Sequence, residues 1–264
     1  MTITTPPPSM DEFLAVVLSR ALRDDTLGLL GTRSEVAAAA CALAQRRHAP
    51  GLSVLSGPSG VVNPRPGVLR PVADDGSIAE AEALTDLTDN IDLIDWSRRR
   101  IDFAVLGGIQ VDRFGNINTV AVGDWARPRL RGPGAIGASV LAGHAATTFI
   151  VLSDHAVRSL PPVVDFVSAI GFGRTGRERA ELGLPGGGPS LLLTPLGTFD
   201  FEGPDHCMRI RTVHPWSSVE EIAARTGFPL GTPDGEPPMT PAPLAAELAD
   251  LRGAVDRTGV LTRA

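Results

Sequence analysis

Short apolar runs alternate with helical patterns at the start of the chain, and this alternation limits the fold more than any other feature. Residues 10–22 place Phe13, Val16, Val17 and Leu22 at helical spacing. Residues 26–30 form a short apolar run. Residues 32–47 return to a helical pattern, with Ser34 as N-cap and Ala-rich turns, and His48-Ala49-Pro50-Gly51 stops it. Residues 52–55 form a second run. Helix–strand–helix–strand order favours a parallel sheet covered by helices. Runs at 101–107, 117–122, 147–152 and 163–168 add strands. Runs at 190–194, 197–201 and 208–213 add a mixed or antiparallel border. The expected fold is therefore α/β: a mostly parallel open sheet with helices on both faces and a mixed edge.

Other segments complete the expected organisation. Residues 1–9 are Thr/Pro-rich and read as a flexible tail. Residues 10–230 read as one α/β domain, with short helices at 77–86, 89–99 and 217–225. A capping box from Ser217 to Glu220 opens the last of these. Residues 231–264 read as a Pro-rich connector and a terminal helix at 244–255, packed on the outside or on a partner.

Composition narrows the function. The chain has 264 residues, 43% of them hydrophobic, enough for a sizeable core. Its formal charge of -6 argues against nucleic-acid binding. All 24 basic residues are arginine. Cys41 and Cys207 make no disulfide framework, so a reduced, cytoplasmic setting is expected. No signal peptide and no membrane-spanning run is read. The five histidines are scattered, and no metal site is expected.

Three stretches could carry chemistry. In residues 127–155, Arg127, Arg129 and Arg131 lead into a turn, Gly134-Ala135-Ile136-Gly137, which opens a small-residue helix. Free amides at a helix start and nearby guanidinium groups suit an anion; a plain corner with solvated arginines fits the residue types equally. Gly57-Pro58-Ser59-Gly60 follows the second run, where ligands sit in open α/β sheets. It resembles a nucleophile elbow around Ser59, but Val61 breaks the pattern and the proline-rich continuation cannot start a helix. His155 and Asp165 are conceivable partners for Ser59. His155, beside Asp154 at a strand end, reads more readily as structural than catalytic. Gly171-Phe172-Gly173-Arg174-Thr175-Gly176 spells GxGxxG, yet the following glycines and proline deny it the helix a dinucleotide site needs.

Taken together, these phrases resemble a family. Residues 101–116, ending Phe114-Gly115-Asn116, the turn in 128–138, the segment 155–171 with Val164-Asp165-Phe166, and the pieces at 196–201 and 219–228 are similar to the β subunit of family I coenzyme A transferases, glutaconate type. The resemblance spans about residues 10–230 and implies the CoA-transferase β-subunit fold, paired with an α subunit of related fold. In that family a β-subunit glutamate after an early strand attacks the acyl-CoA. Here the matching phrase is Pro58-Ser59-Gly60, and no carboxylate lies in residues 56–70. Ping-pong transfer needs a covalent carrier, which these residues cannot provide. Ile136 and Val140 replace a glycine and an aspartate of the family.

Loss of the glutamate resembles the β subunits of the steroid ring-cleaving hydrolases of this fold, from bacterial cholesterol degradation. That resemblance implies hydrolysis of a ring C–C bond in a steroid-derived acyl-CoA. It implies coenzyme A as part of the substrate rather than as a cofactor, and an α2β2 heterotetramer. Arg127, with Arg129 or Arg131 as substitutes, is the expected catalytic residue. Gly57, Pro58, Ser59, Gly134, Ala135, Ile136 and Gly137 are expected to bind substrate, and the acid/base group is expected on the α subunit. A conventional CoA-transferase and a non-catalytic partner subunit are the alternatives. A lone subunit should also expose an apolar face.

Overall fold

A computed structural model describes residues 6–31, 35–57, 59–64, 69–70, 75–86, 88, 101–135, 137–233 and 235–263. The helix expected at 89–99, the Ser34 cap, Pro58 and Ile136 lie outside them. Two compact units form: Met1–Asn90 with Pro241–Ala264, and Ile91–Thr240.

In the first unit, helix α1 (Met10–Ser19) starts at a capping box. Ser9 Oγ accepts from the Glu12 amide, and the Glu12 carboxylate accepts from the Ser9 amide. Strand β1 (Leu27–Leu30) runs through α2 (Glu35–Arg47) into β2 (Ser53–Ser56), which pairs with β1 in parallel. Strands β3 (Val61–Pro64) and β4 (Ala81–Leu84) then pair antiparallel, giving the order β1-β2-β3-β4.

The helix expected at 77–86 is instead a 3-10 turn, Asp75–Glu80, followed by β4. Pairing with β3 supplies backbone partners there, and Glu82 accepts from Asn63 Nδ2 at 2.8 Å. Tertiary pairing outweighs weak local propensity.

The terminal helix, Ala245–Asp250, continues into a π turn, Leu251–Val255. It packs on α1 and α2: Leu248, Leu251, Val255 and Leu261 share a core with Ala15, Val16, Ala39 and Leu43. Arg252 grips the buried Glu12 carboxylate with two bonds of 2.7 Å. Burial pushes that carboxyl up, but the bonds from Arg252 and the Ser9 amide outweigh it and hold it below its usual range.

The second unit holds β5 (Phe103–Gly107), β6 (Gln110–Val111), β7 (Ile117–Asn118), β8 (Ala121–Val122) and β9 (Leu130–Arg131). Then come α3 (Ala138–His144), β10 (Thr147–Val151), α4 (Glu178–Glu181), β11 (Pro189–Leu193), β12 (Gly197–Asp200), β13 (Arg209–Val213) and α5 (Val219–Ala224). Strands β5, β10 and β11 are parallel neighbours; β12 and β13 follow antiparallel. The mixed edge expected from residues 190–213 is therefore present. Phe103, Phe149, Ile150, Leu192 and Phe199 are buried in the core of this unit.

Two local readings are corrected. Residues 163–168 form no strand; only Ala169 bridges to Ile117. Pro161 and Pro162 precede the run, and the Asp165 amide donates to the Gln110 side chain rather than to a neighbouring strand. Helix α5 is capped one residue later than expected: Ser218 Oγ accepts from the Glu221 amide, while Ser217 Oγ donates to Leu196 O.

Candidate functional site

The loop after β2 is tied down by its own backbone. The Gly57 amide donates to Leu30 O at 3.2 Å, and the Gly60 amide donates to Ser56 O at 2.9 Å. Ser59 Oγ donates to Ser56 Oγ at 2.9 Å. Among the described residues, the only side-chain partner of this hydroxyl is Ser56. His155, its conceivable base, lies in the second unit with both ring nitrogens already engaged by Thr194 and Thr226. Gly57 and Ser59 thus belong to the first unit, and Arg127, Gly134, Ala135 and Gly137 to the second.

In the second unit a set of buried amide side chains builds the platform under the arginine-rich stretch. Asn118 is fully buried. Its Nδ2 donates to Gln110 Oε1 and to Ala121 O, both at 2.7 Å, and its Oδ1 accepts from the Val120 and Ala121 amides. This bends the chain between β7 and β8, so the single strand expected at 117–122 is broken in two. Asp165 Oδ2 accepts from the Gly123 amide at 2.8 Å and from Gln110 Nε2 at 3.3 Å.

A second junction lies beside it. Asn116 donates to both Asp112 oxygens and to Gly173 O, and its Oδ1 accepts from the Gly171 and Gly173 amides. Burial pushes the Asp112 carboxyl above its usual range, although amide bonds oppose it. Gly171 lies so close to Phe114 O and Gly115 that a side chain there would overlap them. These contacts account for the GxGxxG phrase without a dinucleotide.

The arginines sit on this platform. Strands β8 and β9 form a short hairpin whose tip carries Asp124, Trp125, Ala126 and Arg127. Asp124 Oδ1 accepts from the Ala126 and Arg127 amides. Arg127 is exposed, and among the described residues its guanidinium has no hydrogen-bond or ion-pair partner. Arg131 stacks over Trp125, 4.9 Å from the ring centre, and Trp125 stacks on Phe166 with centroids 5.4 Å apart at 22°.

Beyond β9, the Gly134 amide is engaged by Thr119 O, which removes it from the donors expected there. Gly134 (φ 97°) and Gly137 (φ 58°) both hold conformations that favour glycine, and among the described residues, chain neighbours aside, no atom lies within 4 Å of where a side chain would start at either. Helix α3 begins at Ala138, and its far end is clamped by the buried Arg179, which donates to Ala142 O, Gly143 O and Gly186 O.

His155 is structural. Thr226 Oγ1 donates to Ile222 O, so it accepts from His155 Nε2; Nδ1 is hydrogen-bonded to Thr194 Oγ1 at 2.8 Å. His214 likewise donates from Nε2 to Thr194 O and accepts at Nδ1 from Thr240. Burial pushes both imidazoles down to about 4, so both are neutral near pH 7. Among the described residues no cluster of three metal-ligating side chains occurs, and no helix is long and apolar enough to cross a membrane.

The class is defined by this fold and the small-residue turn before α3. Residues 12–224 match the family described as Coenzyme A transferase, and the chain belongs to that family. Within it, the chain is 33% identical to a 3-oxoadipate CoA-transferase subunit of Pseudomonas knackmussii, over 95% of this chain and 94% of that protein. It is 26% identical to the cholesterol ring-cleaving hydrolase IpdB subunit of Mycobacterium tuberculosis, over 93% and 94%. The crystal structure of glutaconate coenzyme A-transferase from Acidaminococcus fermentans matches with a TM-score of 0.86 at 25% identity, over 97% of this chain and 98% of that one.

Sequence reasoning did not find Trp125, Phe166 or Arg179. Trp125 and Phe166 are 41 positions apart (166 − 125), and no local pattern links them. Arg179 sits in a glycine-rich, charged segment with no helical or strand period to mark it as buried.

Proposed function

We propose that this chain is the β subunit of a cytoplasmic αβ enzyme that hydrolyses a ring C–C bond in a steroid-derived β-diketone acyl-CoA. One observation carries the reading. The loop that would bear the acyl-accepting glutamate holds no carboxylate between residues 56 and 70, and its hydroxyl is paired with Ser56. Without a covalent carrier in this loop, water is the nucleophile that fits.

In this reading water adds to the ring ketone with a general base from the α subunit. The bond to the α-carbon breaks, leaving a carboxyl group and an enolate that is then protonated. Arg127, unpaired among the described residues of its own chain, meets the developing negative charge. Gly134, Ala135 and Gly137, in the small-residue turn before α3, leave room for the thioester. Coenzyme A enters as part of the substrate, and the assembly is an α2β2 heterotetramer. Co-expression with an α-type subunit and mass analysis of a β-diketone acyl-CoA after incubation tests this. A ring-opened product one water heavier is expected; an intact complex with no turnover overturns it.

A second reading is favoured by the 33% identity to a CoA-transferase subunit. Here acyl-CoA:carboxylate transfer proceeds through a carboxylate on the α chain. Borohydride trapping of a thioester on that chain would select it.

A further inference from the structure

The hairpin tip between β8 and β9 carries Arg127, and its own residues do little to fix where it points. Gly123 opens the tip at φ 90°, a conformation that favours glycine, and it has no side chain to restrain it. Inside the tip, Asp124 Oδ1 accepts from the Ala126 and Arg127 amides. Those bonds shape the turn but do not tie it to the body of the unit.

The tie comes from the loop 163–168. Asp165 Oδ2 accepts from the Gly123 amide at 2.8 Å, at the root of the tip, and from Gln110 Nε2 at 3.3 Å. The next residue, Phe166, stacks on Trp125 inside the tip. The loop is itself anchored from beneath. The Asp165 amide donates to Gln110 Oε1 at 3.0 Å, and the Ser168 amide donates to Ile117 O. Gln110 is buried and Asp165 is exposed, so the relay runs from the core to the surface at the base of the tip. Both bonds to the Asp165 side chain reach the same oxygen. What the tip uses there is an acceptor; among the described residues Asp165 makes no ion pair with Arg127, Arg129 or Arg131.

We propose that Asp165 is the positioning residue for the hairpin tip, and that through Gly123 and Asp124 it places the guanidinium of Arg127 for the reaction. The step to the reaction rests on the reading of Arg127 above; the hold on the tip does not.

Asp165→Ala and Asp165→Asn test this, in the full chain and in the assembled enzyme. The single carbonyl oxygen of an asparagine accepts both bonds, so the pair of variants separates an acceptor from a charge. Hydrogen exchange at amides 123–127 should be at least about tenfold faster in Asp165→Ala, close to the parent in Asp165→Asn, and unchanged in β5 for both. In turnover of the β-diketone acyl-CoA, Asp165→Ala should lower kcat about 10- to 100-fold with a smaller change in KM, the scale of a misplaced group, and Asp165→Asn should recover most of that loss. Added to Arg127→Ala, Asp165→Ala should cost at most about twofold more, because its effect runs through Arg127. Parent-like exchange in Asp165→Ala overturns the proposal, as does an Asp165→Asn variant as impaired as Asp165→Ala. Additive losses in the double variant overturn the route through Arg127. If exchange responds as expected but Arg127→Ala turns over like the parent, the hold on the tip stands and the charge-meeting role of Arg127 falls.

Discussion

Ser59 Oγ donates to Ser56 Oγ across 2.9 Å, in the loop that follows β2. The pair makes Ser59 a turn-forming hydroxyl rather than a nucleophile. Ser59→Ala in the assembled enzyme should keep kcat/KM within about fivefold of the parent. A loss of ~10³-fold, the scale of a removed nucleophile, would contradict this.

Arg127 is the cation expected to meet the enolate. Arg127→Ala should lower kcat/KM by about 10²–10³-fold, the cost of one lost transition-state donor, with KM changing less. Arg127→Lys should recover part of it, since lysine restores charge but not the planar fork. Steady-state kinetics on complexes of equal assembly check both. Unchanged kinetics would favour a non-catalytic β subunit.

Two glycines separate a binding turn from a packing contact. Gly137 has φ 58° and, among the described residues, no atom beyond its chain neighbours within 4 Å of where a Cβ would lie, so Gly137→Ala should cost ~1 kcal/mol of stability and, in the proposed substrate turn, raise KM. Gly171 touches Phe114 O and Gly115, so Gly171→Ala should cost about 3 kcal/mol and lower the yield of folded protein. Urea denaturation and KM together read the contrast.

Two buried imidazoles set an acid limit. His155 and His214 are pushed by burial from 6.5 to about 4, so between these values the unfolded chain binds more protons than the native one. Stability then rises with pH across that window and is lost as pH falls from about 6.5 towards 4. The fall amounts to ~3 kcal/mol per histidine. His155→Gln should flatten the slope of unfolding free energy against pH between 4 and 6.5. An unaltered slope would mean that His155 is not held neutral.

Much of the fold is legible in the sequence because short apolar runs between helical patterns admit few arrangements. β1, α2 and β2 fall where the spacing puts them. The run at 163–168 misleads for a physical reason: its alternation resembles a strand, but the prolines before it and the Gln110 side chain take it out of the sheet. Ala81–Leu84 misleads in the opposite way, since an acid-rich stretch becomes an edge strand only because β3 is there to pair with it. At the site, the missing carboxylate in residues 56–70 can be read directly. The stack of Arg131, Trp125 and Phe166 cannot, because it exists only after Gln110 and Asp165 bring two distant loops together. The Gly134 amide also looks free until Thr119 is found on it.

The hydrolase reading stands or falls on whether an acyl or CoA group is ever bonded to either subunit. Intact-mass analysis of both subunits, after borohydride is added to the assembled enzyme during turnover of an acyl-CoA, measures this directly. Both chains unmodified are predicted, with full activity after the reagent is removed. A reduced glutamate or aspartate mapped to either chain, with activity lost in proportion, would contradict it.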